Sequence, residues 1–307
     1  WLRMPDGSIR VLSTTLKAAD IQAGHISQLL TQSDLAADGA YRTSTTLASA
    51  VNGLVSEPTV NTFTLDTSAP AAGTGALATA SDTGVVGDNK TNDNTPALSG
   101  TAEANATVQI VVNGQTYTTT ANAQGVWTLP ATAVLPDGAY TPVITVTDAA
   151  GNSSAPVNGT PFTVDASGPS APVVALPESP NGVNATEAAS AGGTPVVTTL
   201  PADAKVGDTV TTVVTNPNGT TTTLTHVIVA AELPAAQGGT ATGTGPFTIS
   251  QLIPSSALTV DGAWTTRTTV TDVAGNTSPA TAGAFTLDTS APAVGTGALA
   301  TASDTDR

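Results

Sequence analysis

The sequence contains no cysteine, and this absence limits the chemistry that the protein can carry out. Without cysteine, disulfides, thiol catalysis and cysteine-ligated metals are excluded. Histidine occurs only twice, as His25 and His226, and neither has a second histidine at ligand spacing. No Gly-x-Ser-x-Gly motif is present to supply a serine nucleophile. We therefore expect a protein that is not an enzyme.

Positive charge and aromatic residues are also scarce. The chain has 8 lysines and arginines against 23 acidic residues, a formal net charge of −15, and aromatic residues make up 3% of it. Too few cations are available to neutralise phosphates, so we expect no nucleic-acid partner. No apolar run is long enough to span a bilayer and no signal peptide is recognisable, so we expect no membrane insertion in this segment.

One stretch of nine residues is repeated along the chain. Phe63 to Ala71 returns almost unchanged as Phe285 to Ala293, and in a weaker form from Phe162 to Pro169. In each copy, apolar residues alternate as in a strand with one buried face, an aspartate follows, and proline stiffens the connector. The copies begin 99 and 123 residues apart, which are usual lengths for a β-sandwich.

The repeats divide the chain into modules. We predict tandem antiparallel β-sandwiches joined by short stiff linkers, and we name three modules by their ranges. These are a partial first module at 1–66 (its C-terminal part), a complete middle module at 67–165 and a longer third module at 166–288, followed at 289–307 by a linker and the start of another module. Aromatic residues that recur in phase with the strands are predicted to lie in the cores: Tyr41, Tyr140, Trp264, Phe63, Phe162 and Phe285.

Four motifs together resemble a known family. They are Leu-Asp-Thr-Ser-Ala-Pro at 65–70, Gly-Thr-Ala-Glu at 100–103, Asp-Gly-Ala-Tyr at 137–140 and Val-Thr-Asp-Ala-Ala-Gly-Asn at 146–152. This set resembles the bacterial Ig-like repeats that build the extender regions of giant Gram-negative surface adhesins, of the biofilm-associated and repeats-in-toxin type. The resemblance implies an Ig-like all-β fold, export to the cell surface, and calcium bound near the junctions between modules.

The acidic residues recur at equivalent places in successive modules. In an Ig-like sandwich, the loop between the second and third strands and the last hairpin lie at the end where the chain enters. Carboxylates from these loops should therefore meet the aspartate that ends the preceding module, with Glu187 as a further possibility at the second junction. The predicted metal ligands are Asp66, Asp82, Asp88, Glu103 and Asp148 for the first junction, Asp165, Asp203 and Asp272 for the second, and Asp288 at the start of a third.

Carboxylates that converge in this way repel one another unless a cation lies among them. Two unit charges about 4 Å apart cost roughly 1 kcal/mol in water and about 4 kcal/mol at an effective dielectric constant of 20. Ca²⁺ accepts six to eight oxygen ligands in irregular geometry, so it is the predicted structural ion. The competing interpretation is that Asp-Gly and Ala-Gly-Asn are ordinary turn residues, which we favour for Asp137 and Asp261.

We interpret the segment as a calcium-stiffened spacer of an extracellular adhesin, which supports cell adhesion and biofilm formation. Its partners would be the neighbouring modules of the same chain, while other adhesin molecules or surface glycans would bind distant regions. Two alternatives stay open: an Ig-like module that binds a glycan or protein directly, and an accessory β-module of a secreted hydrolase or phage fibre.

Overall fold

The computed structural model describes residues 1–23, 25–179, 181–190, 192–242 and 246–295. Residues 296–307, which the sequence assigns to a further module, lie outside this part of the chain. The protein divides into two compact units. Unit 1 comprises residues 1–78, 95–133 and 139–162, and unit 2 comprises residues 79–94, 134–138 and those from 163 onward. Both units are built mainly from β-strands, which confirms the predicted all-β class.

The first module contributes a single four-stranded antiparallel sheet to unit 1. Its elements are β1 (Leu2–Arg3), β2 (Ile9–Arg10), α1 (Ala18–Ala23), β3 (Gly39–Thr45) and β4 (Thr59–Leu65), with sheet order β2-β1-β3-β4. Tyr41 on β3 is buried and stacks on Phe63 of β4 with ring centroids 5.2 Å apart. Phe63 is still 37% exposed, because β4 lies at the edge of this sheet.

Strands β5 to β14 belong to the middle module. They are β5 (Ala76–Leu77), β6 (Lys90–Thr91), β7 (Leu98–Thr101), β8 (Thr107–Val112), β9 (Gln115–Thr120), β10 (Val126–Leu129), β11 (Gly138–Tyr140), β12 (Val143–Thr147), β13 (Val157–Asn158) and β14 (Phe162–Val164). Within unit 1 they form two antiparallel sheets, in the orders β10-β7-β5 and β13-β12-β8-β9. The predicted hairpin at Asn113 and Gly114 is confirmed, because both residues have positive φ and join β8 to β9.

A buried tryptophan organises the core of unit 1. Trp127 is 1% exposed, and its Nε1 donates a hydrogen bond to the Thr74 carbonyl oxygen at 3.0 Å. The ring lies against two glycines: a Cβ at Gly75 would be 3.0 Å from Trp127 Cζ2, and one at Gly100 would be 2.7 Å from the same atom. The Gly-Thr-Gly run at 73–75 therefore serves close strand packing.

The third module forms the larger part of unit 2. Its elements are β15 (Val173–Ala175), β16 (Val183–Asn184), α2 (Ala185–Ala188), β17 (Thr194–Thr199), β18 (Thr209–Thr215), β19 (Thr221–Val227), β20 (Thr248–Ile253), β21 (Gly262–Thr271) and β22 (Thr281–Asp288). They build sheets in the orders β15-β17-β20 and β16-β22-β21-β18-β19. As predicted, Trp264 and Phe285 are buried and pair across β21 and β22, with ring centroids 5.8 Å apart.

Chain direction explains where the acidic loop of the middle module lies. Strand β5 runs antiparallel to β7, and β7 leads into the Glu103 turn, so β5 carries the chain away from that turn. In unit 2, β6 then pairs in parallel with β14 through Lys90 and Thr163. The loop between β5 and β6 is thereby placed beside the last strand of its module, just before Asp165.

Candidate functional site

Each Asp-Gly turn holds the connector that leaves its module. Asp38 Oδ1 accepts hydrogen bonds from the Thr67 amide at 3.0 Å and the Thr67 hydroxyl at 2.7 Å, while Oδ2 accepts the Ser68 hydroxyl at 2.6 Å. The same arrangement recurs at Asp137 with Ala166 and Ser167, and at Asp261 with Thr289 and Ser290. We call these three contacts the connector clamps. The sequence showed the repeated Asp-Thr-Ser but not that the turn aspartate captures it.

The connector clamps should loosen in acid. Hydrogen bonds from Ser68 and Thr67 lower the pKa of Asp38, and those from Thr289 and Ser290 lower the pKa of Asp261. A lowered pKa means that the clamp is fully formed above the ordinary value of 3.8 and is lost as the pH falls through the folded-state pKa. We expect the Thr289 amide resonance to titrate below pH 3.8 in protein that has been freed of calcium beforehand.

The Asp261→Ala variant supplies the control, because it removes the carboxylate that accepts the Thr289 amide. The acidic shift of its Thr289 resonance should be much smaller than in the wild type, whereas the Thr67 resonance should be unchanged. A wild-type midpoint at or above the ordinary aspartate pKa would contradict the assignment.

The first junction is bridged by an asparagine. Asn152 Nδ2 donates to the Asp66 carbonyl oxygen at 3.1 Å and to Asp148 Oδ2 at 2.8 Å. The other oxygen of Asp148 accepts three backbone N–H groups, and the Asn152 side chain is the leading cause of its lowered pKa. The Asp66 side chain is exposed and accepts the Ser68 amide, and Glu103 is exposed. Asp148 thus joins this junction indirectly, because it holds the Asn152 amide that donates to the Asp66 carbonyl oxygen.

The second junction repeats this bridge and adds a cleft. Asn276 Nδ2 donates to the Asp165 carbonyl oxygen at 2.6 Å and to Asp272 Oδ2 at 2.9 Å. Next to it is a cleft of about 470 Å³. Among its lining residues are Asp137, Asp165, Asp203, Asp208, Asp272 and Lys205. Three predicted ligands of this junction, Asp165, Asp203 and Asp272, therefore line one cleft.

Asp208 is the residue that the predicted ligand set omitted. It is 1% exposed, its Oδ2 accepts the Lys205 amide at 2.8 Å, and its Oδ1 has no hydrogen-bond partner. Burial raises the pKa of Asp208, and the negative charges of Asp272 and Asp165 raise it further. The Lys205 ammonium is 65% exposed and lies 3.5 Å from Asp165 Oδ2, so it offsets this charge only in part.

Strand register shows that Asp208 has no counterpart at the first junction. Thr209 pairs with Thr271 in unit 2, and Thr107 pairs with Thr147 in unit 1. The residue before Thr107 is Ala106, which is buried at the position equivalent to Asp208. The two junctions therefore share the asparagine bridge but differ in buried charge.

The second cleft fits a hard cation. With the side chains as they stand in the described ranges, no three histidine or acidic residues are grouped closely enough to hold a metal ion. The Oδ1 of buried Asp208, which has no hydrogen-bond partner, however, belongs to a cleft that is also lined by the carboxylates of Asp137, Asp165, Asp203 and Asp272. An all-oxygen donor set of this kind suits Ca²⁺ and offers nothing to a soft metal. Asp203 Oδ2 already accepts the amide and hydroxyl of Ser170.

The loop that carries Asp82 and Asp88 was predicted to lie by the connector of the first junction. The structure places it in unit 2, against the Asp272–Asn276 turn, because β5 carries the chain away from the Glu103 turn. Within this loop, Asp82 Oδ2 accepts the Gly87 amide at 2.6 Å and Asp88 Oδ1 accepts the Lys90 amide at 2.9 Å. Both aspartates thus stabilise the conformation of their own loop.

Glu187 was a possible ligand of the second junction, and this placement is wrong. Strand β16 pairs in parallel with β22 through Asn184 and Asp288, so the helix that follows β16 lies beside the end of the third module. There Glu187 completes a capping box, in which its carboxylate accepts the Asn184 amide at 2.9 Å. Glu187 and Asp288 line one shallow cleft together with residues 289–291.

Each of the two histidines has a hydrogen-bond partner close to it in the sequence. His226 Nε2 lies 2.8 Å from Glu232 Oε2, and His25 Nδ1 lies 3.1 Å from the Ala23 carbonyl oxygen. No helix in the described ranges has both the length and the hydropathy needed to cross a bilayer.

Comparison with known proteins identifies one domain. Residues 69–166 match the family model described as the bacterial Ig-like domain. A structure of a Ca²⁺-stabilised adhesin that helps an Antarctic bacterium bind ice is 32% identical, with 86% of this chain and 60% of that one covered and a TM-score of 0.38. A structure concerning host cell surface retention of a 1.5-MDa bacterial ice-binding adhesin is 26% identical. The match covers 85% of this chain and 79% of that one, with a TM-score of 0.33.

A third structure, a tetra-tandem repeat from the extending region of a large adhesion protein, is 24% identical, with 82% of this chain and 57% of that one covered and a TM-score of 0.28. The protein thus spans 60% of the length of the first of these structures. The curated protein sequences contain no match.

Proposed function

We propose that this chain is a structural extender of a secreted bacterial adhesin, since residues 69–166 match the bacterial Ig-like domain model. The observation that carries the proposal is the repeated joint. An asparagine side chain bridges two modules at both junctions, through Asn152 to Asp66 and through Asn276 to Asp165. Joints built alike in series are what a spacer needs, whereas a catalytic site needs one unique constellation.

We further propose that calcium stiffens the second junction. The ion would be held by Asp165, Asp208 and Asp272, with Asp203 as a further ligand. It would neutralise the negative charge of Asp208, whose Oδ1 has no partner, and would take over from Lys205 the partial neutralisation of Asp165. At the first junction the proposed ligands are Asp66, Glu103 and Asp148, where the hydrogen bonds of Asp148 make the demand for an ion weaker.

The setting of this function is part of the same proposal. The protein would work outside the cell, on the surface of a Gram-negative bacterium, where millimolar calcium saturates sites of the affinity usual for extracellular modules. Neighbouring Ig-like modules would be its direct partners, and the adhesive contact that supports attachment and biofilm formation would be made by distant regions.

A calcium titration tests the proposal. We expect the melting temperature of the complete chain to rise by several degrees in millimolar calcium, since a ligand at a hundredfold excess over its Kd stabilises the folded state by about 2.7 kcal/mol. Small-angle scattering at the same calcium concentrations should show that the protein adopts a narrower distribution of maximum dimensions. Magnesium is the control ion, because its demand for octahedral geometry at short distances fits an irregular cleft poorly.

Two results would count against it. An unchanged melting temperature and scattering curve in calcium would remove the stiffening role. Saturable binding of the protein to a glycan array would favour the alternative of a directly binding module.

A further inference from the structure

The loop between β5 and β6 makes a second, metal-free contact with the turn of the third module. We call residues 82–87 the latch loop. The Val85 amide donates to the Val273 carbonyl oxygen at 3.1 Å, and the Thr83 hydroxyl donates to the Ala274 carbonyl oxygen at 2.6 Å. All of these residues lie in unit 2, and neither hydrogen bond uses a carboxylate.

A glycine on each side allows the two backbones to approach. A Cβ at Gly84 would lie 2.2 Å from the Val273 carbonyl oxygen and 2.8 Å from the Gly275 nitrogen. A Cβ at Gly275 would in turn lie 3.1 Å from the Gly84 nitrogen. Such distances leave no room for a side chain at position 84, so the contact depends on glycine there.

The latch loop is held in shape before it meets its partner. Asp82 accepts the Gly87 amide, and the Thr83 hydroxyl oxygen accepts the Asn92 amide at 2.8 Å. The Thr83 amide also donates to the Lys90 carbonyl oxygen at 3.2 Å. Because these bonds fix the loop, docking orders few additional groups and costs little conformational entropy.

The same turn is exposed where no latch loop covers it. Ala150 of the middle module and Ala274 of the third occupy the same place in their Ala-Gly-Asn turns. Ala150 is exposed, whereas Ala274 is 0% exposed. The turn sequence alone does not bury this alanine, so the latch loop accounts for the difference.

We propose that the latch loop is a docking element for the Asp-x-Ala-Gly-Asn turn of the following module, and that it restrains the second junction without calcium. Its partner is the next module of the same chain, recognised through the two carbonyl oxygens at 273 and 274 and the absence of a side chain at 275. The proposal is independent of the calcium proposal, since no acidic side chain takes part in the contact.

Two glycine variants of the complete chain test the latch in a calcium chelator. Gly84 and Gly114 both have positive φ, at 67° and 72°, but a Cβ at Gly114 would meet nothing within 4 Å. Gly114 lies in the turn between β8 and β9, outside the latch loop, so Gly114→Ala carries backbone strain without the clash and is the matched control for Gly84→Ala. We expect Gly84→Ala to lower the exchange protection of the Val85 amide by about tenfold or more, and Gly114→Ala to leave it within about twofold.

A distance measurement gives the second readout. Because the chain has no cysteine, spin labels at Val134→Cys and Thr221→Cys, exposed positions of the middle and third modules that both lie in unit 2, are the only labels present. The distance distribution in chelator should be narrow for the wild type and Gly114→Ala and broad for Gly84→Ala. Protection of the β8 and β18 amides verifies that both modules are folded, and Thr83→Val, which removes the hydroxyl donor, should give a smaller broadening.

Retained Val85 protection and a narrow distribution in Gly84→Ala would overturn the latch, as would a wild-type distribution that is already broad in chelator. Adding calcium separates the two proposals. If the calcium proposal fails while the latch holds, the wild type stays narrow with and without calcium and Gly84→Ala stays broad in both.

Discussion

Replacing Asp208 by asparagine should stabilise the protein in a calcium chelator and destabilise it, relative to wild type, in millimolar calcium. Without metal, the wild type buries a carboxylate whose Oδ1 has no partner and whose pKa is raised by burial and by Asp272 and Asp165. Removing one charge relieves this repulsion, and we expect a gain of about 1 kcal/mol in the free energy of unfolding.

Calcium reverses the sign because the variant lacks a ligand. If the substitution weakens binding a hundredfold, a calcium concentration that stabilises the wild type by about 2.7 kcal/mol stabilises the variant by only about 0.4 kcal/mol. The melting curves of the two proteins should therefore cross as calcium is added. Differential scanning calorimetry at matched calcium concentrations measures both branches.

The matched control is Glu57→Gln, which removes one negative charge at an exposed position of the first module. It should shift the melting temperature by less than a degree or so in either condition, because exposed charges contribute little. If Asp208→Asn lowers stability equally with and without calcium, Asp208 is a structural residue and the cleft is not a calcium site.

The alternation of apolar residues was enough to predict the longer strands of the middle module, such as β8, β10 and β12. The Asn113-Gly114 turn was confirmed, since both residues have the positive φ that a type I′ hairpin turn requires. The same period placed Tyr41, Trp264 and Phe285 correctly in cores, whereas Phe63, also assigned to a core, is 37% exposed because its strand lies at a sheet edge. These features depend on short-range chemistry that a sequence displays directly.

The contacts between strand ends were harder to predict. Asp82 was assigned to the wrong junction because its position depends on the direction of a two-residue strand, β5, which carries almost no periodic signal. Asp208 was omitted from the ligand set because only strand register shows that it lies one residue before the pair formed by Thr209 and Thr271. Register is set by pairing across the fold, so composition and spacing could not reveal that this aspartate is buried.

The largest loss of stability should follow from replacing Trp127 by alanine. The indole is 1% exposed, packs against Gly75 and Gly100, and donates a hydrogen bond to the Thr74 carbonyl oxygen. Truncating a buried aromatic side chain to alanine costs about 3–5 kcal/mol, because the surrounding groups cannot fill the cavity. This is a large fraction of the roughly 5–15 kcal/mol that stabilises a typical domain.

Hydrogen exchange should show that the stability lost in Trp127→Ala is lost in the strands of unit 1. The strands around the indole cannot move closer together to fill the cavity that it leaves. A Cβ at Gly100 would already lie 2.0 Å from the Thr74 carbonyl oxygen, so the strands are at their closest approach with tryptophan present. Amides of β7, β8 and β12 should lose protection. In the control variant Val126→Ala, which changes a neighbouring side chain that is 44% exposed, these amides should stay protected.

Trp127→Phe should destabilise the protein less than Trp127→Ala does. About 1 kcal/mol of its cost should come from the lost indole hydrogen bond. Equal protection in the alanine variant and the wild type would mean that the aromatic packing of this core contributes little, and that the main-chain hydrogen bonds of the two sheets stabilise it alone.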